Sequence, residues 1–249
     1  MKTVIIGSGN VAYHLAKAFT QNNIKVRQIF GRNETELSKI SSEFKIPYSI
    51  EKLDEAELYI IAVSDSSVEN VSELIKNENA VVAHTSGSLP KEILNGNYRK
   101  ASFYPLQTFS KTKNLDYSKI PFFIEADNQI DEKSLFELAS IISDNVETST
   151  YEKRKYMHLT AVFACNFVNH LFARAKEISD SQDLDFNYFL PLINETVEKI
   201  YHLDPKSAQT GPAVRGDERI LKLHEELIKN EEQLNIYKTL NESIKKMYQ

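Results

Sequence analysis

The sequence contains a single cysteine, Cys165, so this chain cannot form an internal disulfide. Its neighbours in the sequence are apolar, which predicts a buried thiol. No hydrophobic run approaches the ~20 residues that cross a bilayer, and the N-terminal residues enter a predicted strand instead of a basic, apolar signal sequence. We therefore expect a protein of the reducing cytoplasm without a membrane anchor.

Neither sign of charge dominates the chain. Lys and Arg number 30, Asp and Glu number 35, and the formal net charge is −5. This balance argues against a nucleic-acid groove or a membrane-binding surface and favours a small-molecule partner. Internal repeats are absent, and no metal site is predicted. With 249 residues and 41% hydrophobic content, the chain can form one large domain or two ordinary ones.

The most informative stretch is the N-terminal one, where a β-branched run leads into a glycine motif and an amphipathic helix. In this pattern the first glycine permits a sharp turn, the second permits close approach of a pyrophosphate, and Ala12 permits close packing of the helix. The helix N-terminus favours anions. The pattern predicts a cofactor cradle formed by Gly7, Ser8, Gly9, Asn10 and Val11. The alternative is a tight strand-to-helix turn without a ligand.

The end of the second predicted strand, residues 24–30, should select the cofactor. A carboxylate at this point accepts hydrogen bonds from the ribose 2′-hydroxyl of NAD, whereas an arginine accommodates the 2′-phosphate of NADP. The sequence has Arg32 and Asn33 here, and no carboxylate before Glu34. We therefore predict NADP(H) rather than NAD. The alternative is that Arg32 is an ordinary solvated charge.

Two further predicted strands end in polar loops. In open α/β sheets ligands bind at the carboxyl ends of the strands, so the loop after residues 58–63 is predicted to contact the cofactor and the loop after residues 80–83 the substrate. These loops contain Val63, Ser64 and Asp65, followed later by His84, Ser86 and Ser88. His84 could transfer a proton near neutral pH, and the serines could bind a substrate oxygen. Both loops could instead cap helices, from Val68 to Ile75 and from Pro90, with His84 satisfying backbone groups.

The next strand, residues 100–104, ends in a polar group of residues within an apolar setting, which is typical of a pocket wall. Tyr104 and Gln107 are the predicted substrate-binding residues. Another strand near residues 120–125, a helix over residues 131–143 and a last strand at residues 145–148 complete a predicted cofactor-binding domain, residues 1–150. The expected class is α/β, with a doubly wound and mainly parallel sheet.

Helical spacing dominates residues 151–249, which predicts an all-helical second domain for substrate binding and dimerisation. Its first helix has His158, Asn166 and Asn169 roughly along one stripe. Polar groups on an apolar helix need partners, and we place His158 and Asn166 at an active-site cleft. Arg215, in a polar loop, could clamp a substrate carboxylate or a cofactor phosphate.

Four motifs together resemble a bacterial family that joins a Rossmann-like domain to domain of unknown function 2520. They are residues 7–12, 84–88, 105–109 and 210–217, and the likeness covers nearly the whole chain. The family is similar to the 6-phosphogluconate-dehydrogenase-like superfamily, which includes pyrroline-5-carboxylate reductase and deazaflavin-dependent NADP oxidoreductases. The resemblance implies an NADP-binding domain, a helical domain and a homodimer, and it implies no particular substrate.

This chain departs from the family at two positions. The family has a histidine before Pro-Leu-Gln, where this chain has Tyr104, so Tyr104 or His84 would have to donate the proton. The Lys–Asn pair of β-hydroxyacid dehydrogenases is replaced by His158 and Asn166.

The resulting hypothesis is an NADP(H)-dependent oxidoreductase that moves a hydride to or from a small carbonyl, hydroxy-acid or imine substrate in a cleft between the domains. His84 or His158 would be the acid/base group, Asn166 would hold the reacting oxygen or nitrogen, and Arg215 would bind a substrate anion. A non-catalytic NADP-binding sensor or scaffold is the main alternative. A third is a structural dimer with a vestigial cradle.

Overall fold

The computed structural model describes residues 1–248, and its central element is an eight-stranded sheet in the order β3-β2-β1-β4-β5-β6-β7-β8. The pairing is parallel except between β6 and β7, which are antiparallel. This confirms the predicted α/β class with a mainly parallel sheet. The strands are β1 (Thr3–Ile6), β2 (Val26–Phe30), β3 (Tyr48–Ser49), β4 (Leu58–Ile61), β5 (Val81–His84), β6 (Arg99–Pro105), β7 (Phe122–Ala126) and β8 (Val146–Thr148).

Helices cover both faces of the sheet and create two hydrophobic cores. Successive side chains of a strand point to opposite faces, so Ile5 packs in one core while Val4 and Ile6 pack in the other. Residues of α1, α2 and α4 join the first core, and Val68 of α3 joins the second. These helices are α1 (Asn10–Gln21), α2 (Glu34–Phe44), α3 (Val68–Ser72) and α4 (Gln129–Ser140).

Two predicted helices are shorter in the structure. The helix expected from Val68 to Ile75 ends at Ser72, whose hydroxyl donates to the Glu69 carbonyl and accepts the Asn95 backbone N–H. Such side-chain bonds compete with continuation of a helix. The helix expected from Pro90 is one 3₁₀ turn, Lys91–Ile93, because the strand β6 begins only a few residues later.

The chain divides into two compact units, Met1–Asn166 and Phe167–Gln249. The predicted boundary after residue 150 differs from this division by α5 (Tyr151–Ala161) and the segment that follows it. The second unit is helical: α6 (Val168–Ser181), α7 (Leu190–Lys199), α8 (Pro205–Ala208), α9 (Pro212–Arg215), α10 (Glu218–Leu227) and α11 (Glu231–Tyr248).

The sequence predicts one continuous helix where the structure has α5, a π-helical segment at Val162–Phe167, and then α6. The wider turn changes the helical phase between His158 and the residues beyond it. Cys165 lies in this segment and is exposed, so the prediction of a buried thiol is wrong. Apolar neighbours in sequence do not bury this thiol, because residues of the π-helical segment line a cavity.

Within residues 1–248, no helix has both the length and the hydropathy that a bilayer crossing requires.

Candidate functional site

The turn after β1 requires glycine at its first position. Gly7 has a φ of +135°, and a Cβ atom there would lie 2.2 Å from the carbonyl oxygen of Ala62. Its backbone N–H donates to the Phe30 carbonyl oxygen at 2.7 Å, which ties the turn to β2. At Gly9, by contrast, a Cβ atom would have no neighbour within 4 Å. The first glycine therefore builds the turn, and the second leaves open space above it.

This open space belongs to a cavity of about 820 Å³ at the carboxyl ends of β1, β2 and β4. The first turn of α1 borders it, and no side chain caps that turn, so its N–H groups are available to an anion. Every residue predicted to bind the cofactor lines this cavity except Asp65. Those that do are Gly7, Ser8, Gly9, Asn10, Val11, Arg32, Asn33, Val63 and Ser64.

Arg32 and Asn33 have different roles in the wall of this cavity. The Asn33 side-chain oxygen accepts the Glu36 backbone N–H at 3.2 Å and caps α2. Arg32 is exposed, and within residues 1–248 its guanidinium has no hydrogen-bond or ion-pair partner. A free guanidinium fork thus lies where a 2′-phosphate would be recognised.

A second cavity, of about 660 Å³, adjoins the first. Val11 and Val63 line both cavities, so the two are neighbours within the first unit. Several residues that the sequence assigned to cofactor, substrate or catalysis meet here. They are Asp65, Ser86, Tyr104, Gln107, His158 and Asn166.

Tyr104 and His158 form a hydrogen-bonded pair in the wall of the second cavity. The Tyr104 hydroxyl lies 3.1 Å from His158 Nδ1, and the rings meet edge to face with their centroids 6.2 Å apart. Burial raises the pKa of Tyr104 to about 12; Asp65 acts in the same direction and Arg154 opposes it. The phenol therefore keeps its proton at neutral pH and can donate it.

Gly87 makes this pair possible. A Cβ atom on Gly87 would lie 2.7 Å from Tyr104 Cζ and 2.8 Å from His158 Cβ. The glycine in the loop after β5 thus leaves the space in which the tyrosine and the histidine meet.

His84 lies elsewhere. It is fully buried, its Nδ1 accepts the Ser86 backbone N–H at 3.1 Å, and it lines neither cavity. Burial lowers the pKa of His84 to about 4, and the Arg154 charge adds to this effect while the Pro90 backbone opposes it. The imidazole is therefore neutral at pH 7 and holds the loop after β5, as the structural alternative proposed.

Two predicted substrate-binding residues also lie away from the second cavity. Ser88 donates its backbone N–H to the Ser86 hydroxyl at 3.0 Å and lines neither cavity. Arg215 belongs to the second unit, where it ends α9 and is exposed. The nearby Asp217 caps α10 by accepting the Ile220 backbone N–H at 3.3 Å.

Comparison with known proteins places the chain in a family. Residues 120–244 match the family described as domain of unknown function DUF2520, and residues 2–87 match the family described as NADP oxidoreductase, coenzyme F420-dependent. This chain is 38% identical in sequence to a candidate NADP oxidoreductase from Bacteroides fragilis. The comparison with the crystal structure of that protein covers 98% of each chain and gives a TM-score of 0.94. The chain belongs to this NADP oxidoreductase family.

More distant structures share the fold of this chain. A protein from Thermotoga maritima is 21% identical, with 99% of each chain covered and a TM-score of 0.82. A pyrroline carboxylate reductase from Plasmodium falciparum, solved with NADP bound, is 15% identical and has a TM-score of 0.59, with 100% of this chain and 98% of that chain covered. No curated protein sequence gave a match.

Sequence reasoning missed Lys111, which lies against the glycine motif of this chain. Its ammonium group donates to the Ser8 carbonyl oxygen at 2.8 Å and pairs with Glu36. The hydrogen bond from Lys111 is the main reason why the pKa of Glu36 falls to about 2. No motif marks Lys111, because the loop that carries it follows a strand far along the chain.

The loop of residues 106–116 is fastened to α1 by several bonds. Asn10 Nδ2 donates to the Phe109 carbonyl oxygen at 2.8 Å, and His14 Nε2 lies 2.9 Å from the Ser110 carbonyl oxygen. Lys17 donates to Asn114 at 2.7 Å. The loop therefore borders the second cavity through its first residues and contacts the glycine motif through Lys111.

Proposed function

We propose that this protein is an NADP(H)-dependent oxidoreductase that transfers a hydride to or from a small carbonyl, hydroxy-acid or imine substrate. The observation that carries the proposal is the Tyr104–His158 hydrogen bond in a cavity beside the glycine cradle. A protonated donor next to a cofactor site is what reduction of a C=O or C=N bond requires.

The first cavity fits the cofactor. The open space at Gly9 and the uncapped first turn of α1 suit a pyrophosphate. The unpaired Arg32 suits a 2′-phosphate. When bound, the nicotinamide supplies or accepts the hydride. The arginine in place of an acidic residue favours NADPH over NADH.

The second cavity has the groups that a proton transfer needs. In the reducing direction the substrate carbon gains a hydride, and its oxygen or nitrogen takes the proton of the Tyr104 hydroxyl. When His158 carries protons on both ring nitrogens, it can pass the Nδ1 proton to the Tyr104 oxygen and become a neutral imidazole protonated on Nε2, so no isolated phenolate persists in a site where burial raises the pKa of the phenol. His158 is half-buried and recovers its proton from water. Ser86, Gln107 and Asn166 can hold the polar groups of the substrate.

Cofactor selectivity is tested by titration with NADPH and with NADH. Arg32→Ala should weaken NADPH binding by about tenfold or more, since it removes charged hydrogen bonds, and should leave NADH binding unchanged. Arg27→Ala is the matched control, because Arg27 lies on β2, the strand that leads to Arg32, but pairs with Asp54 at 3.1 Å. If neither nucleotide binds, the oxidoreductase proposal is wrong.

Catalysis is tested with NADPH and a panel of small imines, ketones, 2-oxo acids and hydroxy acids, with coenzyme F420 as a second hydride carrier. Tyr104→Phe and His158→Ala should each lower kcat by about 100-fold, the scale of general acid catalysis, with NADPH affinity unchanged. Unchanged turnover in both variants would remove the pair from the mechanism. NADPH binding without turnover of any substrate would support a non-catalytic sensor or scaffold.

We also propose that the protein is a homodimer formed through the second unit. Only Ser179, Ala213 and Leu221 are buried among residues 167–248, while many large apolar side chains are exposed. Apolar surface of this kind marks an interaction site, and a second copy of the chain is the occupant to which we commit. Sedimentation should give the mass of two chains; a monomer at micromolar concentration would contradict the proposal.

The proposed location is the cytoplasm, where an unpaired Cys165 stays reduced.

A further inference from the structure

A row of three polar side chains, two of them fully buried, crosses the sheet beneath α5. His84 on β5 lies directly opposite Ser102 on β6, and Ser102 lies directly opposite Glu125 on β7. Residues paired in this way project from the same face of a sheet. Arg154, from α5, reaches Glu125 at one end of the row.

Arg154 is the largest of the fully buried side chains, and its guanidinium binds two separate segments. Nη1 donates to Glu125 Oε2 at 2.5 Å, and Nη2 donates to the Leu89 carbonyl oxygen at 2.7 Å. Within residues 1–248, three buried polar atoms have no hydrogen-bond partner, and all belong to this cluster: His84 Nε2, Ser102 Oγ and Arg154 Nε. A buried ion pair contributes little net stability, so this one invites a different explanation.

The two segments held by Arg154 are parts of the second cavity's surroundings. Leu89 follows directly on the loop that contains Ser86 and Gly87, and β7 pairs with β6, which carries Tyr104. On α5 itself, Arg154 precedes His158 by four residues, so the two side chains lie one turn apart on the same face. Arg154 contacts Glu125 and Leu89 while His158 contacts Tyr104. The helix is therefore fixed to the sheet at two successive turns.

We propose that Arg154 is a positioning residue that holds His158 against Tyr104. It is not a catalytic residue, since it is fully buried and lines neither cavity. The expected effect of Arg154 on kcat rests on the proposed function, whereas its expected effect on the position of His158 does not. Through the guanidinium, the helix with His158, the loop with Gly87 and the strand beside Tyr104 keep one relative placement.

The kinetic test is a double-mutant cycle. Arg154→Met should lower kcat by about 100-fold, since small misplacement of a reacting group costs this much, with NADPH affinity unchanged. In a His158→Ala background, Arg154→Met should lower kcat by a further factor of less than about two, because the two residues act through one contact. Arg154→Lys should restore only part of the rate, because an ammonium group lacks the fork that binds Glu125 and Leu89 together.

The positional test does not need a substrate. Nuclear Overhauser contacts between the Tyr104 and His158 rings should be present in the wild type and lost in Arg154→Met. Lys153→Met, one residue earlier on the exposed side of α5, is the matched control and should keep them. Retention of the contacts in folded Arg154→Met would overturn the proposal. If the contacts are lost but no substrate is turned over by the wild type, the proposed function is wrong and the positioning role stands.

A second variant guards against a protein that does not fold. Glu125→Gln keeps the shape of the acceptor and removes its charge, so it should weaken the ring contacts and lower kcat by a smaller factor than Arg154→Met. Full activity and unchanged ring contacts in Glu125→Gln would overturn the proposal as well.

Discussion

The two compact units of this protein bury their side chains in opposite ways. Both hydrophobic cores lie in the first unit, on the two faces of the sheet. In the second unit, by contrast, Leu192, Tyr188 and Leu227 are more than 60% exposed. Patterning along a helix therefore predicts which face is apolar, but it does not tell whether that face is covered by the same chain.

The two units also differ in how many of the predicted site residues they contain. The first unit contains both described cavities that hold the predicted site residues. Arg215, the one predicted site residue in the second unit, is exposed at the end of a short helix. The following changes test this contrast.

The largest effect is expected for Gly7→Ala. A side chain there needs a φ of +135° and collides with the Ala62 carbonyl, so the first unit should lose about 4 kcal/mol of stability and NADPH binding should fail. Gly211→Ala is a matched control in the second unit, because Gly211 also has a positive φ, +115°, but a Cβ atom there has no neighbour within 4 Å. Urea unfolding of both variants measures the difference; equal losses would show that collision at Gly7 is unimportant.

The next effect depends on pH. Burial lowers the pKa of His84 from 6.5 to about 4, so between these values the unfolded chain binds more protons than the folded one. This histidine's contribution to stability is complete above about pH 6.5 and falls by about 3 kcal/mol as the pH is lowered to 4. His84→Gln should flatten that part of the profile. The exposed His202 of the second unit provides the control His202→Gln, which should follow the wild type.

A smaller change should separate the two copies of the proposed dimer. Leu192 is 64% exposed on α7, and Leu192→Asp should weaken self-association by about 2 kcal/mol if a second copy covers that face. Ile130, 78% exposed in the first unit, gives the matched variant Ile130→Asp, which should leave the mass unchanged. Equal behaviour of the two variants in sedimentation would contradict a dimer built through the second unit.

The smallest effect is expected for Gly87→Ala. The added methyl group would lie 2.7 Å from Tyr104 Cζ and 2.8 Å from His158 Cβ, so the Tyr104 ring or α5 must move; kcat should fall about tenfold, or ~1.4 kcal/mol, while NADPH affinity is kept. Gly9→Ala is the complementary variant, since its methyl group enters the first cavity and should weaken NADPH binding instead. A loss of NADPH affinity in Gly87→Ala would show that the two cavities do not act separately.

Most of the first unit could be predicted from the sequence, because short local patterns determine its strands and its glycine turn. Strands such as Leu58–Ile61 are uninterrupted apolar runs, and the glycine motif marks the turn by sterics alone. The π-helical segment and the exposure of Cys165 could not be predicted, because a widened turn leaves the apolar composition unchanged.

The sequence did not predict which residues from distant parts of the chain contact each other. Tyr104 and His158 were both chosen as site residues, but nothing in the sequence predicted that they touch across 54 positions. Arg154 was missed because a charged residue on an amphipathic helix ordinarily faces water, whereas here its two terminal nitrogens bind Glu125 and the Leu89 carbonyl in the interior. His84 was chosen for its chemistry, and the sequence did not predict that the structure buries it fully in the sheet, away from both cavities.

The loop of residues 106–116 has a consequence for biosynthesis. Its bonds to α1 and to the turn before it join residues 96 to 103 positions apart, so the first helix that leaves the ribosome must wait for its partners. Contacts so far apart in sequence form late and slow folding, because the intervening chain must first be ordered. We expect the nucleotide cradle of a nascent chain to remain incompletely braced until Tyr117, which contacts His14 at 2.7 Å, has emerged from the exit tunnel.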